Sequence, residues 1–204
     1  SCFEILEEVN MKADCSGEML FTLDLSQSRD NVRKYMKMEK VEGVNVPKPT
    51  EVDAAISQLK KTLGAVAGIS TVVTKSDWSN YIFTVSSRFA HPEALNKALE
   101  AVRKEFDKQQ ATPANALNFS YNNSQFRRSF EVPAKSKEFQ DLPATRRYLL
   151  ETARLTSIYR FEKNIKSYSN KKAKLSPSGK AILLQLPLSD LAKGTGTLAN
   201  TISF

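Results

Sequence analysis

The alternation of apolar and polar side chains on either side of residues 13–17 constrains this chain most. Phe3, Ile5, Val9 and Met11 fall on one face of an extended segment, with Glu4, Glu8, Asn10 and Lys12 on the other. Beyond Ala13-Asp14-Cys15-Ser16-Gly17, the residues Met19, Phe21, Leu23 and Leu25 repeat the pattern against Glu18, Thr22 and Asp24. A period of two puts one set in a core and the other in water, and the turn residues between them make an antiparallel hairpin. One residue breaks the pattern. Strict alternation points Glu7 inward with Ile5 and Val9, and an inward carboxylate needs a partner or a pocket.

Hairpin followed by helix then recurs. Ser28 is placed to cap a short helix through Met36, and Val44–Pro49, with two prolines, reads as an extended connector. Thr50-Glu51-Val52-Asp53 resembles a capping box, after which Val52, Ile56, Leu59, Leu63 and Val66 follow helical spacing. A second hairpin, Ile69–Thr74 with Tyr81–Phe89, precedes a helix with Pro92 at its first position and the stripe Leu95, Ala98, Leu99, Val102 and Phe106. A third joins Leu117–Tyr121 to Phe126–Val132 through a turn at 122–124, with a helix over 143–152. Strands follow over 155–163, 172–175 and 180–186, then a short helix over 188–193 and a tail strand near 198–204. The units share no residue-level identity. The pattern predicts an α+β fold, an antiparallel sheet of successive hairpins with helices packed on one face. One domain over 1–204 is expected, and 110–116 is where a subdivision would fall.

With 41% hydrophobic residues the chain can bury a core, and no apolar run approaches the roughly 20 residues of a membrane-spanning helix. The formal net charge of +8 favours anionic surfaces, although the positive residues are scattered in short clusters such as Arg127-Arg128, Arg146-Arg147 and Lys171-Lys172-Lys174. Two cysteines and one histidine cannot build a Cys-rich metal site, and no metal or cofactor is expected. A strand over residues 3–12 carries Cys2 about 30 Å from Cys15, which excludes a disulfide between them.

Candidate catalytic patterns lack their companions. His91, directly before Pro92, reads as a helix cap rather than a base. Ser57-Gln58-Leu59-Lys60 has the Ser-x-x-Lys spacing of penicillin-recognising enzymes without their Ser-Asp-Asn or Lys-Thr-Gly elements. Gly194-Thr195-Gly196-Thr197 lacks the lysine and spacing of a phosphate loop. No catalytic residue is assigned, and the chain is expected not to be an enzyme.

Ser1-Cys2, a small residue and a cysteine directly ahead of a strand, looks like the end of a bacterial lipoprotein signal, which would make Cys2 the acylated residue. The run Cys2-Phe3-Glu4-Ile5-Leu6-Glu7-Glu8-Val9, the turn Asp14-Cys15-Ser16-Gly17 and the block Ile158-Tyr159-Arg160-Phe161 through Gly179-Lys180-Ala181 resemble cell-envelope lipoproteins of Bacteroidota-type bacteria. More distantly the arrangement is similar to LppM-like lipoprotein domains, in which an Asp-Gly-Ser-Gly turn follows the first strand; here Cys15 replaces its first glycine. The resemblance implies a lipid-anchored envelope protein, at the outer membrane or the periplasmic face, and no catalytic residues. Two roles follow. One is a structural or interaction module with an envelope protein partner. The other is a carrier or sensor of an apolar or amphipathic, lipid-like ligand held between sheet and helices. Glu7, Arg127, Arg128 and Arg160 are the candidate contact residues for ligand or partner. Nucleic acid is not an expected partner.

Overall fold

The first hairpin forms as its alternation requires. In a computed structural model that describes residues 3–108, 113, 116, 118–122 and 124–204, β1 (Glu4–Met11) and β2 (Gly17–Asp24) pair antiparallel, with Glu4 opposite Asp24 and Met11 opposite Gly17. The turn is closed by the Asp14 carboxylate, which accepts from the Ser16 amide at 3.0 Å and hydroxyl at 2.6 Å. Those bonds hold the Asp14 carboxyl below the usual carboxylate range. Cys15 takes the positive φ of the turn, 69°. Gly17 is required for a different reason: a Cβ there would lie 2.1 Å from the Asn10 carbonyl oxygen and 2.7 Å from the Phe89 ring.

A 3-10 turn over Ser26–Ser28 leads into α1 (Arg29–Tyr35) and a small hairpin, β3 (Lys40–Val41) with β4 (Val44–Asn45). The connector expected over Val44–Pro49 thus begins as a strand. Glu42 and Gly43, at φ 51° and 78°, supply the two positive-φ residues that a tight hairpin turn demands. The chain continues with α2 (Pro49–Gly64), β5 (Ile69–Asp77), β6 (Ile82–Phe89) and α3 (Pro92–Phe106). Helix α2 starts at Pro49, whose fixed φ suits a first helical position, so Thr50 is not its cap. The Glu51 carboxylate instead accepts from the Lys48 amide at 2.7 Å.

Next come β7 (Phe119–Asn122), β8 (Gln125–Arg128), α4 (Ser136–Gln140) and α5 (Ala144–Thr152). The chain ends with β9 (Arg154–Phe161), β10 (Ser167–Tyr168), β11 (Lys174–Leu175), β12 (Ala181–Pro187), α6 (Leu188–Lys193) and β13 (Asn200–Ser203). The strands form a seven-stranded sheet in the order β11-β12-β9-β1-β2-β6-β5 and a four-stranded sheet in the order β10-β13-β8-β7. The fold is α+β. Pairing in the large sheet is antiparallel except in one place: β1 lies parallel to β9, Glu7 beside Ser157 and Val9 beside Tyr159. A parallel neighbour needs a long crossover, and everything from β2 to α5 provides it.

The third expected hairpin, of which Leu117 and residue 123 lie outside the described residues, does not extend the large sheet. It pairs with the tail strand β13 in the small one, because Phe119 and Phe126 have ring partners on β9. Phe126 packs on Tyr159 at 5.3 Å and on Phe161 at 5.1 Å, and Phe119 on Tyr159 at 6.0 Å between centroids. Each such buried ring contributes about 1.5–3 kcal/mol. The inner face of the large sheet is therefore covered twice, by the small sheet over β1 and β9 and by α2 and α3 over β2, β5 and β6. Residues 109–112, 114 and 115, where a domain subdivision would fall, lie outside the described residues.

The close approach at Gly17 makes a direct test. Gly17→Ala is expected to lower stability by about 3 kcal/mol or more, since the backbone of β1 cannot yield without breaking the ladder. Urea denaturation of the variant beside the unchanged protein measures it.

Candidate functional site

Two features of the inner face collect the residues that matter, and the first is buried. Glu7 projects from β1, Tyr159 from the neighbouring β9, and Arg128 from β8 of the opposing sheet. Arg128 Nη2 donates to Glu7 Oε1 at 2.5 Å and the Tyr159 hydroxyl donates to Glu7 Oε2 at 2.6 Å. The Arg128 guanidinium lies over the Phe119 ring, 4.2 Å from its centroid. With side chains 3% and 4% exposed, the ion pair is out of reach of solvent. Burial, and then the charge of Glu7, push the Tyr159 hydroxyl well above its ordinary value near 10, against the opposing pull of Arg128. The phenol therefore stays protonated and serves as a donor. Chemically the cluster is a clasp between two sheets: each Glu7 carboxylate oxygen accepts a hydrogen bond and the ion pair is closed to solvent.

The second feature is an apolar crevice beneath α2. It divides into three adjacent spaces. About 240 Å³ lies between α3 and the sheet, lined by Met19, Phe21, Leu63, Leu95, Ala98 and Leu99 among others. About 270 Å³ lies over Ile5, Leu23, Ile56 and Phe83. About 490 Å³ opens past Pro47, Val52 and Phe106. Leu59 lines all three. The crevice exists because the two helices are held differently. Helix α3 buries Pro92, Ala94, Leu95 and Ala98, and its Asn96 side chain both donates to the Phe119 carbonyl and accepts from the Phe119 amide, each at 2.7 Å. Helix α2 buries only Leu63. Its side-chain bond to the sheet side is made by Trp78, whose indole donates to Asp53 at 3.2 Å, and Trp78 in turn stacks edge-on against Phe83 at 5.0 Å.

Of the residues singled out from the sequence, Glu7 and Arg128 meet. Arg127, one position along β8, faces solvent. Arg160 lies on the outer face of the large sheet, donating to Glu8 at 3.0 Å and Asn10 at 3.1 Å. The four do not form one site, because adjacent strand residues point to opposite faces. Tyr159 was legible as an inward residue, but its partner was not, as β1 and β9 are distant in sequence. Cys2 lies outside the described residues. Cys15 is a free thiol, half-buried in its turn. His91 caps α3, its Nδ1 accepting from the Ala94 amide at 3.4 Å. Ser57 and Lys60 are exposed on α2. Gly194, at φ 75°, ends α6, and the amides of Thr195 and Gly196 return to the Asp190 carbonyl, so this segment is a helix terminus. Among the described residues no group of three or more His, Cys, Asp or Glu is placed to hold a metal, and no helix is long and apolar enough to cross a membrane.

No protein-family model and no curated protein matches the chain, so the Bacteroidota-type family has no support from either. Among solved structures it is similar to the NMR structure of the folded domain of LppM from Mycobacterium tuberculosis, at 12% identity and a TM-score of 0.47, over 99% of this chain and 90% of that one. At that similarity the comparison carries over neither a family nor a role.

The clasp generates two expectations. Glu7→Ala leaves Arg128 buried without its carboxylate and is expected to cost about 3–5 kcal/mol, whereas Glu7→Leu combined with Arg128→Met recovers most of that loss; chemical denaturation of the three proteins separates the cases. Tyr159 has its folded-state pKa raised, so its contribution is complete below the unfolded value near 10 and is lost as pH rises above it. Tyr159→Phe is expected to flatten the alkaline fall in stability, read from urea midpoints on either side of pH 10.

Proposed function

We propose that this chain is a binding protein that holds an apolar or amphipathic ligand, of the size of one acyl chain, in the crevice between α2, α3 and the large sheet. The observation that carries this reading is the crevice itself: adjacent apolar spaces around Leu59, of 240 to 490 Å³, lying at or near the range in which small-molecule sites fall. Core side chains close to crystal density elsewhere in proteins, and here Phe21, Leu59, Val85, Leu99 and Val102 stay only partly covered. An acyl chain occupying that space would complete their packing. A binding role rather than a catalytic one is supported by the burial of the Glu7–Arg128 pair, which keeps the cluster from a substrate in solution. Acylation of Cys2 and an envelope address belong to the same proposal and rest on the Ser1-Cys2 pattern.

Trp78, the one tryptophan of the chain, touches Phe83 of the crevice wall and reports occupancy. Titration with palmitate is expected to give a saturable change in Trp78 fluorescence, weakened at least tenfold in Leu59→Glu, since a charge in the wall must be desolvated. Mass spectrometry of the protein from a native host is expected to show a co-purifying lipid, and the same spectrum shows whether Cys2 carries acyl chains. A featureless titration together with a lipid-free protein would sink the reading.

A further inference from the structure

One end of the molecule carries a second surface, distinct from the crevice and built from elements that contribute little to the core. At the end of the large sheet where Glu4, Asp24 and Arg154 align, the chain leaves β2 into α1, passes through the β3–β4 hairpin, and returns much later as α5 just ahead of β9. Neither α1 nor α5 has a buried residue. The Glu42 turn of the hairpin joins the two: its carboxylate accepts from the Thr145 hydroxyl at 2.5 Å and its carbonyl from Arg146 at 3.2 Å. Arg29 ties α1 to the β5–β6 turn through Asn80 at 3.2 Å.

The segments so gathered expose apolar side chains that their helices and turns do not use. Tyr35, Met38, Val44, Tyr148 and Leu149 are between 40% and 56% exposed. Around them stand Arg29, Arg33, Lys34, Lys37 and Lys40, all exposed. The ion pairs here are Arg33 with Asp30 and Arg146 with Glu42, which leaves Lys34, Lys37 and Lys40 without a carboxylate within 4.0 Å among the described residues. Exposed apolar side chains mixed with unpaired lysines fit a surface that is anionic outside and apolar just beneath. Tyrosine and methionine enter the acyl boundary while lysine ammonium groups stay at headgroup level on their flexible stems.

We propose that this end of the domain is a membrane-docking platform that lies on an anionic phospholipid surface, with Lys34, Lys37 and Lys40 on the headgroups and Tyr35, Met38 and Tyr148 inserted between them. Lysine is depleted in protein–protein interfaces, whereas three lysines without a carboxylate partner, beside exposed tyrosine and methionine, suit anionic headgroups over an acyl layer. β1 begins at this same end, with Glu4. The proposal does not depend on the crevice: a domain that binds no palmitate can still dock.

The test uses the unacylated 204-residue chain, so that no lipid anchor contributes, and co-sedimentation with vesicles of phosphatidylcholine alone or mixed with phosphatidylglycerol. Binding to the mixed vesicles that declines as salt is raised is expected, with weak binding to phosphatidylcholine. Lys34→Glu with Lys37→Glu is expected to weaken it by at least about fivefold per lysine, and Tyr35→Ser with Tyr148→Ser to weaken it at unchanged charge. Lys12→Glu with Lys180→Glu, the same charge change at the opposite end of the sheet beside Met11 and Phe161, is expected to leave most of the binding in place. Leu59→Glu should bind vesicles as the unchanged protein does, which separates this proposal from the crevice. Circular dichroism confirms that each variant is folded. Absence of binding to anionic vesicles, an equal loss in the Lys12/Lys180 variant, or binding to a single-stranded oligonucleotide that matches vesicle binding and ignores the tyrosines would each overturn the assignment.

Discussion

The contact on which the two sheets depend is the buried pairing of Glu7 with Arg128, completed by the Tyr159 hydroxyl. Glu7 sits at the middle of β1, and β1 sits at the middle of the seven-stranded sheet. A carboxylate there is tolerable only when the small sheet is docked and delivers its guanidinium, because an unpaired buried charge costs several kcal/mol. Conversely Arg128, at the end of β8 over the Phe119 ring, has its carboxylate only when β1 is in place. The clasp therefore makes assembly of the N-terminal hairpin and of the later β7–β8 unit mutually conditional. It also fixes orientation, since one register of the small sheet brings the arginine opposite the glutamate.

With that half of the inner face closed by interlocking rings, the other half is left to the helices. Helix α3 is drawn down by Asn96, which binds both backbone groups of Phe119, and so is tied to the same small sheet. Helix α2 is tied to the sheet side by the Trp78–Asp53 bond, which reaches a side chain and no strand backbone. Its apolar stripe faces the sheet, but only Leu63 is closed off, and the crevice lies along the rest of that stripe, at Val52, Ile56 and Leu59. The proposed ligand site thus follows from unequal anchoring of two adjacent helices.

The crevice and the proposed docking platform share one end of the molecule. Pro47 lines the outer opening of the crevice and directly follows the β3–β4 hairpin that carries Val44. On these proposals an amphiphile drawn from a bilayer would meet the crevice without crossing the body of the domain, and an acyl anchor ahead of β1 would hold the domain in the same orientation.

Local features were legible because their causes are local. The alternation around the first turn, the inward position of Glu7, the cap at His91 with Pro92 and the short helix α6 all follow from neighbours in sequence. The β3–β4 hairpin was hidden by the two prolines just after it, although Glu42-Gly43 supplies the positive φ values that mark such a turn. The separation of Arg127 from Arg128 was implicit in strand alternation once β8 was known to be a strand. The remainder had no local cause. Nothing near Tyr159 shows that β9 will lie parallel to β1, and nothing near β7 and β8 shows that they will leave the large sheet for a second one. Those choices depend on which aromatic faces fit together. What the sequence by itself determined was the α+β class, the face on which each strand residue lies and the need of Glu7 for a partner. Only the tertiary structure decided that the partner is Arg128, 121 residues away, and that α2 buries Leu63 while the rest of its stripe stays partly open, because periodicity specifies a direction for each side chain while packing alone specifies what it meets there.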